Sequence, residues 1–143
     1  MFAKITLAFL SFFLMTCSDK AEPEPEPEPI DCSTAICTLN FVTITVSVED
    51  ATGDAVSLDN FEIIDTATGE NLAESTTAEE YHNDQGIYPI ISDAYRKKYQ
   101  NKTATLLFKG FIGDEQVVNE EFEIGADCCH VSLIAGNRTI VLD

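Results

Sequence analysis

The chain has no tryptophan, only two histidines, and eight basic residues against 25 acidic ones. Four of its five prolines crowd between positions 23 and 29, and no apolar run approaches the twenty or so residues that a membrane-spanning helix needs. Each shortage excludes something. A formal net charge of −17 repels phosphate backbones and anionic lipid, so nucleic-acid binding is excluded as a function. No Gly-x-Ser-x-Gly, His-Glu-x-x-His or phosphate-cradling loop occurs. No helical period persists, except for a turn or two over 93–100. A core must therefore be built from aliphatic side chains and a few aromatics, which an apolar fraction of 45% allows.

With 143 residues the chain holds one domain. Three segments differ in composition. Residues 1–16 carry a single charge, Lys4, followed by the twelve-residue apolar stretch from Ile5 to Thr16. That stretch is too short to span a bilayer and long enough for the core of an export signal. Removing it takes the net charge to −18. Residues 17–31 contain Cys17 and then Ser18-Asp19-Lys20, followed by four Glu-Pro repeats. Proline fixes φ and the glutamates repel, so this segment is expected to be an extended tether reaching roughly 40 Å. Residues 32–143 hold nineteen acids and six bases, a net −13, and are of a usual size for a β-sandwich.

The signal ends in Leu14-Met15-Thr16-Cys17. This resembles the lipobox of bacterial lipoproteins. The resemblance implies a diacylglyceryl group on the Cys17 sulfur and cleavage before Cys17. Two or more acyl chains would anchor the chain durably, at about 0.8 kcal/mol per buried methylene. Ser18-Asp19-Lys20 and the acids after it resemble the acidic export signal of surface lipoproteins in Bacteroidota-type bacteria. That implies an outer-membrane, cell-surface location.

Four cysteines remain: Cys32, Cys37, Cys128 and Cys129. An even number in an exported chain predicts disulfides. Of three connectivities, one joins the neighbours Cys128 and Cys129, which is strained. The other two both tie the start of the domain to its penultimate strand, and the spacing does not choose between them. A four-thiolate zinc site favours close C-x₂-C pairs, which C-x₄-C with an adjacent pair does not provide, so no metal or other cofactor is expected. If Cys128 and Cys129 lie in a strand they face opposite sides, and the parity of Val131 and Leu133 places Cys129 inward.

Between 40 and 50, Val42, Ile44, Val46 and Val48 alternate with Thr43, Thr45, Ser47 and Glu49, the pattern of a half-buried strand. Further strands are expected at 61–64, at 86–91 (with Pro89 marking an edge), and as hairpins over 103–112/115–124 and 128–134/139–142. The turns of these hairpins are Gly113-Asp114 and Gly136-Asn137. Asp50-x-x-Gly53-Asp54 reads as turn chemistry rather than a calcium loop. Seven or so strands with turns every 8–12 residues predict an all-β sandwich. Val46-x-Val48-x-Asp50, Gly53 and Ala55-Val56, with the later Gly86-x-Tyr88 and Asp93, resemble the carboxypeptidase-regulatory, transthyretin-like β-sandwich. That resemblance covers most of 32–143, implies an Ig-like topology and carries no catalytic residues. The ending Ala126-Asp127-Cys128-Cys129-His130-Val131, with Gly136 and a last strand, resembles small Bacteroidota-type surface lipoproteins.

Four of the domain's six bases lie within seven residues: Arg96, Lys97, Lys98 and Lys102, flanked by Tyr95 and Tyr99. This is a candidate binding patch for an acidic surface glycan or protein partner. A charged connector that balances local acids is the simpler reading. Asp65-Thr66-Ala67 resembles the O-glycosylation acceptor of Bacteroidota-type exported proteins, with Thr66 as the modified residue. His82 belongs to a solvated loop, and His130 to a surface or a hydrogen bond. No catalytic residue is expected, and no enzyme. The function expected is a surface-displayed, non-enzymatic binding or adhesion module, the alternative being a periplasmic accessory of an envelope complex.

Overall fold

A computed structural model describes residues 31–75 and 83–143. Seven strands form two sheets. They are β1 (Thr43–Asp50), β2 (Asn60–Asp65), β3 (Ile87–Ser92), β4 (Thr103–Ile112), β5 (Glu115–Ala126), β6 (Val131–Ala135) and β7 (Thr139–Leu142). A one-turn helix, α1 (Arg96–Tyr99), follows a short 3₁₀ turn at Asp93–Tyr95. One sheet has the order β3-β1-β7 and the other β2-β4-β5-β6. The fold is an all-β sandwich.

The alternation in β1 does what its period dictates. Ile44, Val46 and Val48 are buried, while the residues between them are only partly covered. Facing them, Ile63 from β2, Leu106 and Phe108 from β4, and Val118, Phe122 and Ile124 from β5 complete the core. In place of a tryptophan, three rings meet across the layers. Phe61, Tyr88 and Phe108 have centroids 5.5 to 6.0 Å apart in edge and tilted arrangements, the geometry that aromatic quadrupoles prefer. The Tyr88 hydroxyl is not wasted in this interior. It accepts a hydrogen bond from the Leu58 N–H at 2.6 Å and donates to the Val56 carbonyl at 3.2 Å. It thereby pins the chain between β1 and β2, beside the bond from the Val56 N–H to the Val48 carbonyl at 2.9 Å. Pro89 lies in β3, at the edge of its sheet, opposite a bulge between Ile44 and Thr45, as an imino acid without an N–H requires.

Two expectations are corrected. The last two strands do not form a hairpin. β6 pairs antiparallel with β5, whereas β7 pairs parallel with β1 in the other sheet. The chain changes layers at Gly136–Arg138, and β7 buries Ile140 against the core. Cysteine parity fails for a related reason. Cys128 and Cys129 occupy the bend between β5 and β6, outside any strand, and both are partly covered. A turn has no period of two, so the inward assignment of Cys129 has no basis in geometry.

The layer change depends on Gly136, at φ +126°, where an added Cβ would lie 2.5 Å from Phe122 Cδ1. Gly69 also has a positive φ, +75°, but open space around it. Gly136→Ala is therefore expected to cost about 2–4 kcal/mol, from strain plus overpacking, and Gly69→Ala about 1–2. Urea titrations of the two variants check this. Equal midpoints would show that Phe122 yields without penalty.

Candidate functional site

The densest set of polar and covalent links lies at one end of the sandwich. There, residues 31–42 form a strap that leads into β1 and has no ladder of its own. Asp127 shapes the bend that receives it. Its Oδ1 accepts the N–H groups of His130 at 2.8 Å and Cys129 at 2.7 Å. These two bonds hold its carboxyl below the usual carboxylate range. The bend presents both of its cysteines to the strap. Cys32 is bonded to Cys128 and Cys37 to Cys129, with Cα–Cα separations of 5.3 and 5.2 Å. These lie within the ordinary span of a disulfide. The two connectivities that spacing left open are thus resolved in favour of this one.

Asp93, just after β3, ties the same region together without covalent bonds. Its Oδ2 accepts the Val42 N–H and its Oδ1 accepts the Val131 N–H, both at 2.8 Å. His130 Nδ1 lies 2.7 Å from Oδ2, and His130 Nε2 lies 3.0 Å from the Thr38 hydroxyl. The carboxylate needs a donor, which puts the imidazole proton on Nδ1 and leaves Nε2 to accept from Thr38. Burial pushes the Asp93 carboxyl up, but the bonds from His130, Val42 and Val131 outweigh it and hold the carboxyl below its usual value.

The order hydroxyl, imidazole, carboxylate is that of an acyl-transfer relay. Such a relay acts only on a substrate held over the hydroxyl. Here the chain on either side of Thr38 projects into water, with Ile36 97% and Leu39 fully exposed. The arrangement clamps the strap. A crevice elsewhere, between Ile63, Leu72, Ile90 and Tyr95, has room for about one water molecule.

The basic cluster is divided by the fold. Lys98 lies 3.0 Å from Asp65 and 2.7 Å from Glu70, and sits over the Tyr99 ring. Tyr99 is buried and donates its hydroxyl to Asp65 at 2.8 Å. Burial, followed by that bond, pushes its phenol up to about 12. Asp65 is itself 2% exposed. Burial raises its carboxyl, and the bonds from Lys98, Tyr99 and the Ala67 N–H more than reverse this. Arg96 donates to the Cys128 carbonyl, and Tyr95 to the Leu72 carbonyl at 3.2 Å. Lys97 and Lys102 remain exposed. The side chains of the candidate patch thus act largely as internal fasteners, the charged connector that was the simpler reading.

In the sequence, Asp65 stands out only as the acid before Thr66, whose exposed hydroxyl donates to the Thr105 carbonyl at 2.9 Å. No period or spacing pairs Asp65 with Lys98, 33 residues on. Asp93 had a signal in the G-x-Y strand before it, but its histidine partner had none. The Asp50 turn is as its spacing predicts, with Oδ1 accepting from Thr52 and Asp54. Cys17 and His82 lie outside the described residues. No protein family, curated protein or solved structure matches the chain.

Two expectations follow. Once Cys32–Cys128 is formed, Cys37–Cys129 closes a ring of only about eight residues, so the chain-entropy model assigns the first bond roughly 4.7 kcal/mol and the second roughly 2.5. Removing either bond with paired alanines should therefore cost ~2.5 kcal/mol. Removing both should cost ~7, well above twice the single loss, and strict additivity in denaturant titrations would contradict this. For Asp93, the folded carboxyl titrates below the unfolded one. Its contribution is fully present above about pH 5 and is lost as pH falls through the folded value. Asp93→Asn should cost about 2–4 kcal/mol at pH 7, with the gap to wild type narrowing as pH falls below about 4. A gap that stays constant over that range would rule out the carboxylate as its source.

Proposed function

We propose that the chain is an exported lipoprotein, lipidated at Cys17, that displays its sandwich from the outer membrane as a non-enzymatic binding or adhesion module on the cell surface. The observation that carries the exported half of this reading is the pair Cys32–Cys128 and Cys37–Cys129. Two disulfides form and persist in oxidising compartments and are rare in the cytosol. They agree with an export signal at 1–16 and a lipobox at Cys17. The acidic residues after Cys17 favour the outer face of the membrane, and the Glu-Pro repeats are the tether between lipid and domain.

The module half rests on where the chemistry lies. Asp93, His130, Asp65 and Lys98 are engaged in holding segments together. The turns at the far end from the disulfides, around Asp50–Asp54 and Gly113–Asp114, are exposed and acidic. Such turns suit a basic protein partner or a cation-bearing glycan. The transthyretin-like resemblance points the same way, towards a display domain.

Cys17→Ser is expected to move the protein from the membrane fraction to the soluble fraction of the cell envelope. Mass spectrometry of the wild-type protein should find its amino terminus at Cys17 with acyl chains attached, and protease shaving of intact cells should remove the domain. An unmodified Cys17 would overturn the anchoring. Full protection from protease would turn the display inward to the periplasm.

A further inference from the structure

Three large apolar side chains of the strap find no core. Ile36 is 97% exposed, Leu39 fully exposed and Phe41 62% exposed. They are not on a loose end. The strap is bolted at Cys32 and Cys37 by the disulfides and hydrogen-bonded at Thr38 and Val42 to His130 and Asp93. Holding apolar groups in water in a fixed pose forgoes the collapse that would cover them, and it removes in advance the ordering cost of docking them. The charge pattern is equally uneven. In a domain of net −13, the run from Cys32 to Val48 carries no charged residue. The strap is also the first part of the domain that the chain reaches after its Glu-Pro segment.

We infer that the strap is a membrane-docking element, in which Ile36, Leu39 and Phe41 sink to the headgroup level of a zwitterionic bilayer. The inference rests on the lipoprotein reading above. Three side chains are too few to hold a protein on lipid alone, but an acylated Cys17 supplies the effective concentration that makes weak docking complete. The acids elsewhere on the domain exclude anionic lipid as the preferred surface and set equal charges against a second copy. Docking fixes an orientation. β4 runs from Thr103, at the disulfide end, to Ile112, about 30 Å along the strand. With the strap on the lipid, the acidic turns at Asp50–Asp54 and Gly113–Asp114 point outward, where a partner would meet them.

The absence of tryptophan gives a clean test. Full-length protein lipidated at Cys17, carrying Leu39→Trp, is reconstituted in phosphatidylcholine vesicles with brominated acyl chains. Ile112→Trp serves as the far-end control. Emission from the indole of the Leu39→Trp protein should shift to the blue and be quenched several-fold more than that of the Ile112→Trp protein. Adding Ile36→Ser and Phe41→Ser should bring the quenching down to the control level. Equal quenching at both positions, with the lipid on Cys17 verified by mass spectrometry, overturns the docking and leaves the anchoring intact. Protection of the strap indole only after another protein is added overturns it in favour of a protein groove. A Cys17 without lipid overturns the reading beneath it as well.

Discussion

The constraint on which this domain depends is the double covalent bond between the entry strap and the bend after β5. The strap runs into β1, the central strand of one sheet, and the bend belongs to the other. A two-layer sandwich holds its layers together by burying side chains between them. This one has no tryptophan and a net charge that works against compaction. The disulfides act as a staple at the end where the entering strap has no ladder of its own. Asp93 repeats the same link in hydrogen bonds, joining Val42 of the strap to Val131 at the start of β6. Farther along the sandwich, the layer change into β7 and the Phe61–Tyr88–Phe108 cluster do the corresponding work by packing.

The distribution of charge follows from the shortage of bases. With nineteen acids to six bases in the domain, a carboxylate inside needs donors close by. Asp65 obtains Lys98, Tyr99 and a backbone N–H; Asp93 obtains His130 and two backbone N–H groups. Lys98 is drawn inward by this demand and Arg96 is turned to the Cys128 carbonyl, so the outer surface is left acidic. A chain read for its surface charge would place those two bases outside. The fold uses them for fastening, and the exposed surface carries acidic turns at one end and an uncharged apolar strap at the other.

Much of the architecture was legible because strands carry a period of two and turns carry their own chemistry. The buried face of β1, the edge position of Pro89, the Gly113–Asp114 hairpin and the Asp50 turn all follow from local pattern. What escaped was everything that depends on where the chain goes after a turn. Gly136-Asn137 looks like a hairpin turn, yet the strand after it has apolar residues that can be buried by either sheet, and the core beside β1 takes it. The disulfide pairing escaped because Cys128 and Cys129 sit in a bend, where neither parity nor spacing distinguishes partners. The Asp93–His130 and Asp65–Lys98 contacts escaped because each joins residues more than thirty positions apart, and short-range pattern says nothing about such pairs.

The most direct test of the staple is a non-reducing peptide map of the native protein, with fragmentation between Cys128 and Cys129 to separate the two sulfurs. Cys32 should be found linked to Cys128 and Cys37 to Cys129, with no free thiol among the four. A bond between Cys128 and Cys129, or the crossed pairing of Cys32 with Cys129, would contradict the staple.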